Sequence, residues 1–387
     1  MPTAAPANAD TDVYPTLTWS ENEQPHSVRW RSESGSPAPK RVIVADDRTP
    51  ADMAFRLACE GSGLLWRGDF QNGRQLLQAL ARRIDRRARK PQANGVDAFN
   101  QQRMAQAQRA RILGMLLLPF EAGHRLAHRR APDVSLACLQ AYGEADAPYV
   151  ASMRELLGLI GAYEWRKNGL MVAALGAKIH PHYGVFAPVR NEYVGLVAAT
   201  PLPNCSVAFD IGTGTGVLAA LLAHRGVQHV IGTDQDPRAL TCARENIARL
   251  QLSQRVEIVE ADLFPPGRAG LIVCNPPWLP ARPSSPLEYA VYDPDSRMLR
   301  GFLSGLIAHL SEDGQAWLIL SDLAEHLGLR SRQQLLDWIA AAGLQVQGRV
   351  EVKPTHPRTG DVTDALHSAR AAEMTSLWQL GLARSTE

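Results

Sequence analysis

The sequence predicts an α/β fold in which a mainly helical amino-terminal domain precedes a doubly wound parallel sheet. Three observations predict this fold. A short apolar run leads through a glycine-rich turn into an apolar helix within residues 207–222. From residue 205 onward, strand-like and helix-like segments alternate, which favours parallel strands joined by right-handed crossovers. Before residue 148, apolar residues recur mainly at helical spacing.

The glycine-rich turn lies in the stretch Val207-Ala-Phe-Asp-Ile-Gly-Thr-Gly-Thr-Gly-Val217. Gly212, Gly214 and Gly216 follow a Gly-x-Gly-x-Gly pattern, not the Gly-x-Gly-x-x-Gly pattern of dinucleotide-binding folds. Glycine permits positive φ and lets the backbone approach a ligand closely. Because Asp210 stands just before the first glycine, the turn suits a cationic ligand better than a pyrophosphate. A glycine-rich turn that binds nothing is the alternative.

The charge of the chain is unevenly distributed. The 387 residues carry a net charge of +2, but residues 66–130 hold 14 Lys and Arg against four Asp and Glu, whereas the remainder holds 27 against 35. Such a basic surface suits a phosphate backbone or an acidic protein, and a solvated helix face is the alternative. Few aromatic residues are interleaved, which disfavours single-stranded nucleic acid. The face of the first predicted helix opposite its apolar residues carries Arg82, Arg83, Arg86, Arg87, Arg89 and Lys90, and the second helix adds Arg103, Arg109 and Arg111.

Cysteine usage and hydropathy bear on metal sites and location. The five cysteines include no Cys-x-x-Cys pair, so the sequence predicts neither a zinc site nor a disulfide framework. The amino terminus has neither the basic region nor the apolar stretch of a signal peptide. The apolar run at 112–120 is far shorter than a membrane span. We therefore expect a cytoplasmic protein without a metal or a membrane partner, and find no signal for an oligomeric state.

Composition and periodicity divide the chain into four segments. They are a partly disordered segment at 1–40 with a weak strand near Val28, a mainly helical basic domain at 41–148, a connector at 149–200, and the doubly wound domain at 201–387. The basic domain is expected to have a strand at 41–45 and helices at about 72–89 and 98–117. The connector is expected to contain a hairpin with its turn at Asn168-Gly169, followed by a lead-in helix.

The doubly wound domain is expected to contain seven strands. They lie at 206–210, 228–233, 255–260, 269–274, 315–321, 345–352 and 375–381. Helices are expected at about 215–225, 237–250, 295–310 and 331–342. Asp236-Pro237 is typical of one helix start, and Ser331 with Gln334 of another, since each offers a side-chain cap.

Two acidic residues end neighbouring strands of this domain. Asp234 follows the second strand, about where a doubly wound fold places a carboxylate on ribose hydroxyls. Two carboxylate oxygens and two hydroxyls form a charge-assisted bidentate pair. Asp262 follows the third strand and is placed to accept from an adenine amino group. A helix cap and a turn acid, respectively, are the alternatives.

The fourth strand ends in Leu271-Ile-Val-Cys-Asn-Pro-Pro-Trp278. Pro276 and Pro277 fix φ and remove two backbone donors. What remains is a rigid set of acceptors, namely the Asn275 side-chain oxygen and the carbonyls around Pro276, beside the ring of Trp278. Such a set suits a planar NH2 group, which donates through both hydrogens and stacks on the ring.

These motifs together resemble the class I S-adenosylmethionine-dependent methyltransferases. Asp-Ile-Gly-Thr-Gly-Thr-Gly, Thr-Asp-Gln-Asp-Pro, Ala-Asp-Leu-Phe and Asn-Pro-Pro-Trp follow one another in that family's order over residues 200–385. The resemblance implies a Rossmann-like seven-stranded methyltransferase domain whose last strand is antiparallel, and S-adenosyl-L-methionine as cofactor. It implies cofactor contacts from Asp210, Gly212, Thr213, Gly214, Gly216, Asp234, Asp262, Leu263 and Asn275. It implies an acceptor site made by Asn275, Pro276, Pro277 and Trp278.

The branch that the chain most resembles methylates amide or exocyclic amino nitrogens and includes the release-factor glutamine methyltransferases. Residues 185–197 are similar to the lead-in of those enzymes, but their Pro-Arg-Pro-x-Thr-Glu is here Pro188-Val-Arg-Asn-Glu192. Their usual Tyr or Phe after Pro-Pro is here Trp278, and the amino-terminal region is longer. The expected acceptor is a macromolecule, either a protein glutamine or an RNA base (guanine-N2 or adenine-N6). A small-molecule N-methyltransferase and a non-catalytic binding module with this fold are the alternatives.

Two long segments are expected to overhang the site. One spans 279–297 and contains Tyr289, Tyr292 and Asp293. The other spans 353–373, and its polar residues include His356, Arg358, Asp361, His367 and Arg370. Long loops on the ligand side of a sheet are often functional.

Overall fold

The computed structural model describes residues 14–87, 95–283, 288–354 and 364–383. The chain forms two compact units. The amino-terminal unit comprises Met1–Arg87 and Gln108–Ile160, and the carboxy-terminal unit comprises Ala88–Ala107 and Gly161–Glu387.

The amino-terminal unit is built on a six-stranded sheet with the order β1-β2-β6-β5-β4-β3. The strands are β1 (Thr16–Glu21), β2 (Gln24–Trp30), β3 (Arg41–Ala45), β4 (Ser62–Trp66), β5 (Leu116–Phe120) and β6 (Tyr149–Ser152). The helices of this part of the chain are α1 (Ala51–Cys59), α2 (Phe70–Arg87), α3 (Gly95–Leu113), α4 (Ser135–Tyr142) and α5 (Met153–Asn168), of which α3 and α5 continue into the second unit. The prediction of a mainly helical domain is therefore wrong, because a sheet lies at its centre.

The buried strands of this sheet explain the error. All five residues of β4 are buried, and four of the five in β5. A fully buried strand shows no alternation, so its short apolar run looks like part of a helix. The helix predicted to reach residue 117 ends at Leu113, and the chain then enters β5.

Residues 14–40 are ordered around a hairpin, contrary to the expectation for residues 1–40. Strands β1 and β2 pair antiparallel, and Asn22 and Glu23 between them have φ of 51° and 64°, as a type I′ turn requires. Leu17 and Trp19 are buried on one side of β1. The strand expected near Val28 is β2. Residues 1–13 lie outside the described residues.

The connector also differs from the prediction. Asn168 ends α5, and Gly169 follows the helix with φ of 69°, so Asn168-Gly169 terminates a helix and does not turn a hairpin. An Asn-Gly pair fits both structures, because helices commonly end at a left-handed glycine. The hairpin of this segment follows as β7 (Leu170–Val172) and β8 (Ala177–Ile179). Tyr149–Ser152, expected in the connector, is strand β6 of the first sheet.

The carboxy-terminal unit contains a seven-stranded sheet with the order β11-β10-β9-β12-β13-β15-β14. Its strands are β9 (Val207–Ile211), β10 (His229–Asp234), β11 (Val256–Glu260), β12 (Ala269–Cys274), β13 (Leu310–Ser321), β14 (Leu344–Val352) and β15 (Thr375–Leu382). Strands β9 to β13 run parallel, and β15 is antiparallel to both of its neighbours. The seven predicted strands and the antiparallel last strand are confirmed, although β13 begins earlier than predicted.

Helices cover both faces of this sheet. They are α6 (Glu192–Ala199), α7 (Val217–His224), α8 (Pro237–Arg249), α9 (Arg297–His309), α10 (Leu323–His326), α11 (Arg332–Ala341) and α12 (His367–Ala372). The predicted caps are confirmed: Asp236 accepts from Arg238 N at 2.9 Å, and Ser331 from Gln334 N at 3.1 Å. One apolar core packs α6, α7 and α8 on the sheet, and a second packs α9 and α11 on the other face.

The parallel strands position the site. Because β9, β10, β11 and β12 run in the same direction, the residues that follow them gather along one edge of the sheet. The amino-terminal sheet repeats part of this topology: β3, β4 and β5 are parallel and β6 is antiparallel, like β9, β12, β13 and β15. Among the described residues, no helix is long and apolar enough to cross a membrane.

Candidate active site

The glycine turn after β9 is left-handed at each glycine. Gly212, Gly214 and Gly216 have φ of 71°, 55° and 79°, a region that other residues rarely adopt. A Cβ on Gly212 would lie 2.8 Å from Cε of Met298, and one on Gly216 would lie 3.3 Å from Ala243. A Cβ on Gly214 meets no atom of the described residues within 4 Å. The turn therefore packs closely at two glycines and is open at the third, which leaves room for a ligand.

Asp210 supports this turn from below. Its side chain is 1% exposed, and Oδ2 accepts from Thr213 Oγ1 at 2.6 Å and from Ala219 N at 2.9 Å. Burial raises the pKa of Asp210 to about 6, although the two hydrogen bonds oppose the shift. Thr213 is also buried. Asp210 and Thr213 are therefore buried residues that hold the shape of the turn. The resemblance had implied that both contact the cofactor directly.

Asp234 lies at the end of β10, beside the same turn. Its Oδ2 accepts from Gly214 N and its Oδ1 from Asp236 N, both at 3.0 Å. Burial raises the pKa of this carboxyl group, and the backbone donors counteract the shift. Since each carboxylate oxygen accepts about two hydrogen bonds, the carboxylate keeps capacity for a ribose hydroxyl. The backbone bonds hold the carboxylate in one orientation.

Two residues follow β11 at this edge of the sheet. Asp262 is exposed, and Leu263 has a backbone conformation that the sequence did not suggest. Leu263 adopts φ of 75°, which is uncommon for a residue with a side chain. Its carbonyl accepts from Thr233 Oγ1 at 2.5 Å, which fixes the segment to β10. Such a strained backbone at a ligand edge is typical of functional sites.

Asn275 and Trp278 lie together at the end of β12. Trp278 Nε1 donates to Asn275 Oδ1 at 2.9 Å. Both side chains are half-buried, and Trp278 packs against the cores on both faces of the sheet. Pro276 and Pro277 between them contribute no N–H. The indole therefore engages one of the two lone pairs of the Asn275 side-chain oxygen and leaves the other.

Comparison with known proteins agrees with this geometry. A family model described as the methyltransferase small domain matches residues 176–323. A tRNA1(Val) (adenine(37)-N6)-methyltransferase of Bacteroides fragilis is 32% identical over 38% of this chain and 69% of its own length. The chain belongs to the class I S-adenosylmethionine-dependent methyltransferases.

The chain spans less than two thirds of the length of two further relatives, and it is also similar to a solved structure. A release factor glutamine methyltransferase of Cereibacter sphaeroides is 33% identical over 47% of this chain and 65% of its own length. Another, from Mycolicibacterium smegmatis, is 37% identical, and the chain spans 44% of its length. A solved methyltransferase of Pyrococcus furiosus is 19% identical, with a TM-score of 0.39 over 58% of this chain and 98% of its own.

The residues of this methyltransferase fit its cofactor. The glycine turn is open at Gly214, the carboxylate of Asp234 is oriented beside it, and exposed Asp262 follows the next strand. All three stand at one edge of the sheet with Asn275. These groups match a ligand with ribose hydroxyls and a cationic centre. The predicted cofactor residues are thus brought together, with Asp210 and Thr213 in supporting positions.

Arg190 and Glu373 form an ion pair next to Trp278. The Arg190 guanidinium lies 5.6 Å from the centroid of the Trp278 ring. Its NH2 donates to Glu373 Oε1 at 3.2 Å, and its Nε donates to Glu192 Oε1 at 3.0 Å. The sequence showed Arg190 as a displaced arginine of the lead-in motif, but no local pattern connects it to Glu373.

A pocket of about 330 Å³ lies beside Arg190. Apolar side chains dominate its lining, among them Trp165, Phe186 and Val189, and His182 and Arg190 are polar members. His182 is held by Glu245, with Nε2 to Oε2 at 3.0 Å, and burial lowers the pKa of this imidazole. Because Arg190 also faces Trp278, the pocket is a neighbour of the Asn275 region.

The segment 279–297 is only partly as expected. Asp293 is buried and accepts from Met298 N and Leu299 N at 2.9 and 3.1 Å, so its carboxylate satisfies two backbone donors in the first turn of α9. Burial raises the pKa of this carboxyl. Tyr289 is exposed, whereas the Tyr292 ring lies 4.3 Å below the Arg103 guanidinium.

Within the carboxy-terminal unit, the first half of α3 packs on this segment. Ala98 and Phe99 share an apolar cluster with Leu279, Leu323 and Leu366. The sequence placed this helix wholly in the amino-terminal domain. Instead, residues 95–107 belong to the carboxy-terminal unit, and their apolar cluster includes Leu279, the residue directly after Trp278.

The described part of the segment 353–373 contains a short helix and an ion pair, and His367 Nδ1 is buried there without a hydrogen-bond partner among the described residues. His367 begins α12, and Arg370 pairs with Asp364 at 2.7 Å. His356, Arg358 and Asp361 lie outside the described residues.

Acidic residues of the amino-terminal unit neutralise much of its basic surface. Arg83 pairs with Asp52 at 2.7 Å, and Arg109 with Asp85 at 3.1 Å. Further pairs are Arg125 with Glu121 and Arg130 with Asp69. Arg82 and Arg86 are exposed on α2. Arg89 and Lys90 lie outside the described residues.

Proposed function

We propose that this chain transfers the methyl group of S-adenosylmethionine to a planar NH2 nitrogen, and that its acceptor is a protein glutamine side chain. One observation carries the proposal. Asn275 presents an oriented amide oxygen at the end of β12, on the sheet edge that also bears the open glycine turn and Asp234.

The cofactor contributes an electrophilic methyl group on a sulfonium sulfur. The chain's own part is to hold it: Asp234 accepts from the ribose hydroxyls, exposed Asp262 accepts from the adenine amino group, and Gly214 leaves the backbone accessible. A carboxylate that is oriented before binding loses little freedom when it binds. Asp210 acts indirectly, because it holds the turn in place.

The acceptor side works by orientation. Asn275 Oδ1 has a second lone pair for one hydrogen of the NH2 group, and a carbonyl next to Pro276 accepts the other. These two hydrogen bonds hold the NH2 group so that the nitrogen lone pair is drawn out of conjugation and is available to the methyl group. The proton that the nitrogen loses on methylation passes to water. Asn275, Pro276, Pro277 and Trp278 therefore act through positioning and fixed acceptors, and little acid–base chemistry is required.

Three observations support a protein acceptor. Relatives named as glutamine methyltransferases include those of Cereibacter sphaeroides and Mycolicibacterium smegmatis. Much of the basic surface is neutralised within its own unit, which weakens the case for a phosphate-binding stripe. The apolar pocket beside Arg190 offers room for an apolar side chain near the glutamine. An RNA adenine is the second candidate, because the Bacteroides fragilis relative is named for adenine-N6 methylation of a tRNA.

A labelling experiment tests the proposal. Purified protein is incubated with a cell extract and methyl-labelled S-adenosylmethionine, and protein, RNA and small molecules are then separated. We expect label in protein, released as methylamine when the amide is hydrolysed by acid. Label in RNA bases favours the second candidate. No Asn275-dependent label in any fraction contradicts the proposed activity and leaves a binding module.

A further inference from the structure

Glu373 is a buried carboxylate next to the acceptor residues. It lies between α12 and β15 and is 1% exposed. Its Oε1 accepts from Arg190 at 3.2 Å and from Ser321 Oγ at 2.7 Å. A buried carboxylate is tolerated only where charged or polar partners satisfy it. Glu373 therefore connects Arg190 to Ser321 at the end of β13.

The hydrogen bond to Glu373 helps to fix the position of the Arg190 guanidinium. Arg190 is held at Nε by Glu192 and at NH2 by Glu373, so its planar guanidinium has two fixed points. The same guanidinium lies 5.6 Å from the Trp278 ring centroid, within the range of a cation–π interaction. The Trp278 indole in turn donates to Asn275 Oδ1.

We propose that Glu373 and Arg190 are positioning residues for methyl transfer: they hold the Trp278 ring, and through its indole N–H they fix the orientation of the Asn275 amide. The inference rests on the proposed function, because it assigns Asn275 to the acceptor. An amide has two nearly equivalent orientations, and only one presents its oxygen to Trp278 and its remaining lone pair to the acceptor. The Glu373–Arg190 ion pair is the anchor of this arrangement. When it is lost, the Trp278 ring is free to move and the Asn275 amide is free to rotate.

Glu373→Gln tests the anchor with little change of shape. The glutamine oxygen still accepts from Ser321, but the charge that fixes Arg190 is lost. Arg190→Lys is the second variant, because lysine keeps the charge and lacks the planar fork. The Trp278 indole N–H is followed by NMR and assigned among the eight tryptophans by its absence in Trp278→Phe. This readout needs no acceptor.

The chain supplies a matched control. Glu325 pairs with Arg332 at 2.7 Å, and the Arg332 guanidinium lies 5.3 Å from the Trp378 ring centroid. The same Glu–Arg–Trp arrangement occurs there, around a tryptophan of β15. Glu325→Gln should leave the Trp278 signal unchanged.

We expect Glu373→Gln and Arg190→Lys to shift the Trp278 indole signal and speed its hydrogen exchange. Both should lower kcat about tenfold, with the Kd of S-adenosylmethionine changed by less than about twofold. An unchanged indole signal in both variants overturns the anchor. A shifted signal with unchanged kcat in an active protein overturns the positioning role. If the wild-type protein methylates nothing, the proposed function fails, while the indole signal still reports whether the anchor exists.

Discussion

The indole Nε1 of Trp278 donates a hydrogen bond to Oδ1 of Asn275 at 2.9 Å. A tyrosine or phenylalanine ring at this position has no N–H with which to make this bond. The bond selects one of the two orientations of the Asn275 amide, with the oxygen towards the indole. In this chain, Trp278 therefore orients the Asn275 amide in addition to providing an aromatic face beside it.

Trp278→Phe separates these two roles of the ring. Phenylalanine keeps an aromatic face but leaves the Asn275 amide without its donor, so we expect kcat to fall about three- to tenfold, or about 0.7–1.4 kcal/mol of barrier. Titration calorimetry should show the Kd of S-adenosylmethionine within about twofold of the wild-type value.

Trp338→Phe is the matched control for this substitution. Trp338 is also half-buried, packs against one of the same cores and has the Arg300 guanidinium 5.7 Å from its ring centroid. Its kcat should match the wild-type value. Equal losses in the two variants would mean that tryptophan packing matters, and that the bond to Asn275 does not.

Asp234→Ala should weaken cofactor binding. The substitution removes the expected acceptor of ribose hydroxyls, at about 1.5–3 kcal/mol for each charged hydrogen bond lost, and it frees Gly214 N. Calorimetry on the folded variant measures the change. Asp236→Ala is the control: it removes the cap of α8 and about 1 kcal/mol of stability, but should leave affinity unchanged. Unaltered affinity in Asp234→Ala would remove Asp234 from the site.

The raised pKa of Asp210 predicts that the free energy of unfolding depends on pH. Its pKa is raised from 3.8 to about 6 by burial, so the folded state binds the proton more tightly than the unfolded state. The wild-type protein therefore loses stability from this group as pH rises from about 4 to 6. Asp210→Asn lacks the titration, so its stability relative to wild type should rise by roughly 2–3 kcal/mol over that window. Urea unfolding at several pH values measures the difference, and parallel profiles would contradict it.

The exposed arginines of α2 test the acceptor class. If the acceptor is a protein glutamine, the double substitution Arg82→Glu and Arg86→Glu should leave methyl transfer within about twofold and its salt dependence shallow. An RNA held by this surface would instead lose affinity steeply with salt, with a logarithmic slope of about 0.7–0.9 per phosphate contacted. Unfolding and cofactor affinity serve as controls for the fold.

The carboxy-terminal unit was predictable because its signals are local and agree with one another. Asp236 and Ser331 cap their helices, as their spacing indicates. The Gly-x-Gly-x-Gly turn has positive φ at each glycine. The strand ends then place Asp234 and Asn275 at one edge. Each of these features is encoded within a few residues of sequence.

The remainder depends on residues far apart in sequence or on ambiguous patterns. The five buried residues of β4 fit a strand or a helix, and Asn168-Gly169 fits a hairpin or a helix end. Arg190 and Glu373 are 183 positions apart, and no local periodicity pairs them. The burial of Asp210 beneath the turn likewise follows from packing of the whole sheet.

Asn275→Ala tests the central claim most directly. The variant keeps the glycine turn and Asp234 but removes the oriented oxygen that the acceptor NH2 group requires. We predict that kcat falls at least about a hundredfold, or about 2.7 kcal/mol of barrier, while calorimetry shows the Kd of S-adenosylmethionine within about twofold of wild type. Turnover that survives within about twofold of wild type, under 0.5 kcal/mol of barrier, would contradict the assignment of Asn275 to the acceptor.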